Sequence, residues 1–525
     1  MTTGPDRAAR AGQLGLAGIG VSLGLTVAVA VAGPSVMEPV LPGRAGQPPW
    51  AFAAHPSPYL AVGLTAAALA AGALGLVLAL RAVRGGWSIP ARAVLLAGLL
   101  AAVALTLVPP FGSSDQLSYA AYGRMLVTGH NPYTTTPAQL AALGDPVARA
   151  VQDWFTTASV YGPLASGVQG LAALIGGTSA RLTVFVLGLA NLAAFAGTAL
   201  LLHRMTRCDP ARQLRAALLW AANPLLLQLL IAGAHVDGQA VVFAVAAVAV
   251  LFGPWSGERA PVPSLTRATL AGVLVGLGFA VTVSDALVGV GLAVALALRA
   301  RPAGRRTGPP LAALAAGFAA TAGAALAIGG SAMWHQLSRE SDLVSIGSPW
   351  RVIRSGVHLV VTGTAATDVI KAGAAALAVL LAVVVVRGLV VRGLPGAADP
   401  GAGVAFAVVL AWLFAWPYVL PWYDALAWAL LPLVAAGTAT ATGAAWLLLA
   451  RTTALGFGYL PARQADAVLP RGLSWLQPVV RHGVTPAVLA AATVWLAVLM
   501  VRSRSPERPE PAGSVDPRPA TAKAA

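Results

Sequence analysis

Asp115, Tyr119 and Tyr122 are spaced so that one carboxylate and two phenols share a single face of a helix. A carboxylate held there can take a proton from a hydroxyl. The same pattern also fits an N-cap followed by interfacial aromatics. The stretch Gly129-His130-Asn131-Pro132-Tyr133 then ends the helix in a turn, because Pro132 cannot continue it. A second acid, Asp237, follows His235 by two residues, placed either to cap the next helix or to orient hydroxyl groups. Arg351 and Arg354, with His335 and His358 nearby, offer planar two-pronged donors for a phosphate, or anchors for phospholipid headgroups. Trp422 and Tyr423 present faces for stacking, or belong with Trp416 to an aromatic belt. Asp285 is the single acid inside a long apolar run. The one cysteine, Cys208, cannot form an internal disulfide, and no Cys/His spacing marks a structural zinc site.

The elements that must position these residues are membrane helices. Only 10% of the 525 residues are charged and 58% are hydrophobic, whereas a soluble domain is about 25% charged. This composition excludes a soluble enzyme, a disordered chain and a disulfide scaffold. Long unbroken Ala/Leu/Val/Gly runs, rather than short alternating strands, exclude a β-barrel. The +16 net charge gathers in short loops between apolar runs, so it reads as positive-inside topology and not as a nucleic-acid surface.

Spans are expected near 12–33, 59–80 and 91–109, with Arg7, Arg10, Arg81, Arg84 and Arg92 on the cytoplasmic side. The polar stretch of about 110–178 then lies outside, with a short interfacial helix at its end. Further spans are expected at 180–202, 212–232 and 238–253, followed by a hairpin over 267–299 with Asp285 at its outer tip. After span 310–330 comes a second outer loop, 331–367, then spans 369–386 and 402–416. The stretch 425–449 reads either as one span or as two short helices broken near 437–443. The second option puts Arg451 inside a helix, where it must face the bundle. The last span is 484–501, giving about thirteen or fourteen in one domain, 1–502. The Pro- and Arg-rich tail 503–525 is expected to be disordered.

Several short motifs recur in a fixed order. The Asp115 loop is followed by Asp145-Pro146, Trp154 and Tyr161-Gly162-Pro163-Leu164. After these come Asn223-Pro224-Leu225, Gly233-x-His235-x-Asp237, Ser348-Pro349-Trp350-Arg351 and Pro421-Trp422-Tyr423. The order resembles that of the actinobacterial polyprenol-phosphate-mannose-dependent α-1,6-mannopyranosyltransferases, over roughly residues 90–500. The resemblance implies a GT-C-like bundle with catalytic extracytoplasmic loops, in the plasma membrane. It implies an inverting transfer of mannose from polyprenyl-phosphate mannose to a mannan or lipoglycan acceptor of the cell envelope, without metal or other cofactor. Asp115 corresponds to the family's catalytic base. Tyr119, Tyr122, His130, Asn131, Tyr133, Tyr161, His235, Asp237, Asp285, Arg351, Arg354, Trp422 and Tyr423 are then the expected substrate contacts. One departure stands at Asp285, since related enzymes carry a lysine at the hairpin tip. Other polyprenyl-phosphate sugars, such as arabinofuranose, fit the same fold. A transporter or flippase fits less well, because the acids fall at span ends on one side and no internal repeat is evident.

Overall fold

In the computed structural model the described residues are 4–253, 263–300, 307–361, 363–391, 400–434, 439–461 and 469–502. The expected tail at 503–525 and the basic residues Arg259, Arg301, Arg305, Arg306 and Arg392 lie outside them, as does Gly437. The described elements are helical. The first three, α1 (Gly4–Ala32), α2 (Pro58–Arg84) and α3 (Ala91–Leu107), sit where the apolar runs place them. Next come α4 (Asp115–Val127), α5 (Pro137–Ala142), α6 (Pro163–Gly176) and α7 (Ala180–Met205).

The expected span 212–232 is not one smooth helix. It begins as α8 (Pro210–Leu219), breaks before Pro224, and resumes as α9 (Pro224–Leu226) and a π turn over Leu227–Ala232. Pro224 has no N–H to donate, and the Asn223 side chain caps the restart through the Leu225 N–H at 3.1 Å. After α10 (Asp237–Phe252), α11 (Leu265–Phe279) and α12 (Ala286–Ala300) form the expected hairpin, with Asp285 in its tip. α13 runs from Gly308 to Glu340, ten residues past the expected end, around a kink at Gly330 (φ 65°). Then follow α14 (Pro349–Val357), α15 (Thr364–Val386), α16 (Pro400–Ala415), α17 (Ala425–Leu430), α18 (Ala439–Gly458) and α19 (Thr485–Arg502). Among the described residues, seven helical segments are long and apolar enough to cross a membrane, and shorter apolar helices accompany them. This is a polytopic all-α membrane protein.

At one end of the bundle, arginines close helix ends. Arg267 donates to the Val250 and Leu251 carbonyls of α10, at 2.7 and 3.3 Å, and Arg212 donates to Leu433 at 2.6 Å. Cations at helix C-termini satisfy orphan carbonyls that an apolar interior would otherwise penalise. At the opposite end the loops are tied to each other. Phe111 donates to Ala232 (2.8 Å), Gly112 to Met37 (2.7 Å) and Leu164 to Ala280 (2.9 Å), while Ser345 Oγ both donates to and accepts from Val419 at 2.9 Å. α4 lies flat on α6 through Gly123, whose hydrogen faces the Gln169 carbonyl with no room for a side chain.

Deep in the bundle Arg451 of α18 does face inward. Its Nε donates to Asp424 Oδ1 at 2.9 Å, and Thr452 Oγ1 donates to Asp424 Oδ2 at 2.7 Å. Both Asp424 and Arg451 are buried. Removing one member of a buried pair strands the other's charge, so Arg451→Met is expected to cost about 3–5 kcal/mol of stability. Arg451→Met combined with Asp424→Asn should recover most of that loss in thermal unfolding in detergent. A double variant no more stable than the single would show that the pair is not the cause.

Candidate active site

Asp115 opens α4, and its carboxylate is hydrogen-bonded on one side and flanked on the other. The Trp154 indole N–H donates to Oδ1 at 3.1 Å, and His235 Nδ1 lies 3.6 Å from Oδ2. The Asp115 backbone N–H donates to Ser113 Oγ at 3.1 Å. Burial pushes the His235 imidazole down to about 3, so it meets the carboxylate as a neutral ring rather than as half of an ion pair. That ring is clamped flat against Trp422, with centroids 3.5 Å apart and planes 15° apart. Trp154 (φ 63°) and Ala234 (φ 53°), next to His235, are two of the three described non-glycine residues with left-handed backbones. Local strain is thus concentrated in the two segments that grip Asp115.

The carboxylate faces a cavity of about 330 Å³, within the range of small-ligand sites. One wall is α4, which presents Asp115, Tyr119 and Tyr122 as their spacing requires; Tyr161, Glu340 and Tyr423 close the other side. Tyr161 donates to the Tyr119 hydroxyl at 3.1 Å, and Tyr423 donates to Glu340 at 3.2 Å. Burial first, then the negative field of Asp115 and Asp237, holds the Tyr119 phenol well above its usual range, and burial does the same for Tyr161. The cavity rim is therefore a set of protonated phenols whose hydroxyl oxygens can hydrogen-bond polar groups in the cavity. A second chamber of about 350 Å³ adjoins the first across Tyr161, Glu340, Tyr418 and Tyr423. Asp237 lines it, with Oδ2 accepting no hydrogen bond among the described residues, and so do Trp412 and Trp416.

Asp285 stands behind this second chamber. Its carboxylate packs against Gly278 while Thr282 and Ser284 of the same tip face the space. Burial, with a smaller contribution from Asp237, raises the Asp285 carboxyl well above the usual range and favours its protonated form. His130, Asn131 and Tyr133 shape the loop rather than line the cavity. Asn131 Oδ1 accepts from the Tyr133 N–H at 2.9 Å, Thr128 Oγ1 meets His130 Nδ1 at 3.1 Å, and the Tyr133 hydroxyl meets Ser166 at 3.2 Å. Arg351 and Arg354 lie on α14, outside both chambers; Arg354 donates to His358 at 3.3 Å. Glu340, Arg339 and Gln336 do line the cavity, although the polar run beginning at residue 331 reads as loop. Their signal was a helix continuing past its apolar stretch.

These features are those of a polytopic membrane protein in which a buried carboxylate faces a phenol-lined cavity at the loop end of a helical bundle. A family model described as alpha-(1->6)-mannopyranosyltransferase, N-terminal domain (MptA/B family) matches residues 16–299. The chain belongs to this family and is accordingly a membrane glycosyltransferase of the mannosyltransferase class. No curated protein and no solved structure matches it.

Two outcomes test the grip on Asp115. Trp154→Phe keeps an aromatic, though smaller, ring but loses the N–H, and should slow glycosyl transfer about ten- to hundredfold through misplacement of the carboxylate; an unchanged rate would detach Trp154 from the site. His235 takes up its proton at about 3 in the folded chain, against 6.5 ordinarily. Its share of stability is therefore present above the higher value and lost as pH falls toward the lower one. His235→Gln should flatten the fall in unfolding midpoint over that window, and equal slopes for the two proteins would count against a neutral buried imidazole.

Proposed function

We propose that the chain is an inverting mannosyltransferase that moves mannose from polyprenyl-phosphate mannose to an α-1,6-mannan or lipoglycan acceptor at the extracytoplasmic face of the plasma membrane. The observation that carries this reading is the Asp115 carboxylate, hydrogen-bonded by Trp154, flanked by His235 and facing a phenol-rimmed cavity. An acceptor hydroxyl oxygen attacks the anomeric carbon, and the new C–O bond forms as the bond from that carbon to the phosphate oxygen breaks. The hydroxyl proton passes to Asp115 and polyprenyl phosphate departs with the bonding pair. The leaving group is already a stable anion, so one base suffices and no general acid, metal or other cofactor is invoked.

Tyr119 donates to a sugar hydroxyl, while Tyr122, Tyr161 and Tyr423, whose own protons are engaged by Thr157, Tyr119 and Glu340, accept from sugar hydroxyls, as do Asp237 and Glu340. Trp422 holds His235 in place and closes the cavity. His130, Asn131 and Tyr133 set the loop that carries Asp115, and Asp285 stiffens the hairpin tip behind the second chamber. Arg351, exposed on α14, and the half-buried Arg354 meet membrane-lipid headgroups. Partners are the lipid-linked donor, the glycan acceptor and the surrounding lipids.

The test is transfer of radiolabelled mannose from polyprenyl-phosphate mannose to a short α-1,6-mannoside in membranes. Asp115→Asn should express and fold normally yet lose at least a hundredfold in rate. Substantial remaining transfer would move the base elsewhere. Wild-type activity with polyprenyl-phosphate arabinose instead would replace the donor sugar.

A further inference from the structure

A third cavity, of about 220 Å³, joins the catalytic one where Trp154, Tyr418 and Tyr459 line both. We propose that this cavity is the subsite for the donor's phosphate and that Arg481 is the residue that binds it. The inference rests on a lipid-phosphate donor but not on which sugar it carries.

Arg481 lines the cavity and is only 9% exposed. Its guanidinium is oriented from two sides, by an Nε hydrogen bond to the Gly458 carbonyl at 2.6 Å and by the Tyr459 ring, whose centroid is 5.4 Å away. A planar, always charged, weakly hydrated cation in a dry setting is the side chain best suited to a phosphate. Trp154 has its indole on Asp115 and also walls the Arg481 cavity. A phosphate on Arg481 therefore leaves its sugar directed toward the carboxylate.

The isoprenoid tail also has a place. Thr485 lines the Arg481 cavity and, in addition, an apolar cleft of about 690 Å³ along α2, α18 and α19, walled by residues such as Leu74, Trp446, Phe457 and Val488. Tail, phosphate and sugar thus have contiguous spaces in the order the donor presents them. The alternative route, through the second chamber, passes Asp237 and Glu340, and none of the residues lining it is basic. Two carboxylates oppose a phosphate and suit an uncharged glycan instead, which assigns that chamber to the acceptor. Arg339, also on the catalytic cavity, is exposed, where water screens its charge.

The test uses the full chain in lipid nanodiscs and sugar-free polyprenyl monophosphate as the probe, so that binding is read apart from transfer. Arg481→Gln should weaken binding at least tenfold, with Arg481→Lys recovering part of it. Val344→Trp, which fills the cavity while keeping Arg481, should weaken it similarly. In the transfer assay both should raise the donor KM and leave the acceptor KM unchanged. Wild-type affinity in Arg481→Gln, or absence of binding by wild type, overturns the assignment. So does loss of binding in Val290→Trp, which fills the acid-lined chamber, without loss in Val344→Trp. If Arg481-dependent binding is found but mannose is not transferred, the phosphate site stands and the donor sugar falls.

Discussion

The site depends on one buried ion pair, Arg451 with Asp424. Two charges inside an apolar bundle are tolerable only when each is the other's partner and the remaining lone pairs are met. Thr452 completes that requirement and itself accepts from the Trp428 indole at 2.9 Å. The pair fixes the short helical turn Pro421–Asp424, and with it the two residues before Asp424. Tyr423 reaches Glu340, and Trp422 lies flat on His235, which stands against Asp115. A charge in the middle of α18 is thereby transmitted, through one stacked pair of rings, to the carboxylate at the head of α4.

Around that line the molecule separates its charges. Acids collect on the α10–α13 side of the cavity, where Asp237, Asp285 and Glu340 are brought together by a kinked helix and a hairpin tip. The buried guanidinium of Arg481 lies on the opposite side, just before α19. Asp115 sits between them, next to groups that are neutral, namely an indole, an imidazole and phenols. An arrangement of this kind keeps the carboxylate away from a fixed cation that would otherwise compete for its lone pairs.

Much of the fold was legible because apolar length is a strong signal, and the hairpin tip at Asp285 showed itself as one polar break in an apolar run. The shared face of Asp115, Tyr119 and Tyr122 followed from helical spacing alone. What was not legible is tertiary. Trp154 finds Asp115 across 39 residues of chain, and nothing local announces it. Glu340 was hidden because hydropathy falls near residue 330 while the helix, bending at Gly330, goes on. Arg351 and Arg481 are alike in sequence, each an arginine near a histidine, yet the first lies on the exposed α14 and the second is buried beside a cavity. The Pro224 break inside 212–232, by contrast, has a local signal in Asn223-Pro224, which the apolar run on either side masks.

The family match ends at residue 299, and this boundary divides the cavity in an informative way. Asp115, Trp154 and His235 all fall before it, whereas Glu340, Tyr418, Trp422, Tyr423 and Tyr459 all fall after it. In this chain the matched half carries Asp115, its indole donor and the nearby imidazole together with Tyr119, Tyr122 and Tyr161, and the half beyond supplies the opposite wall. Kinship judged over the matched half alone therefore leaves one whole wall of the cavity out of account.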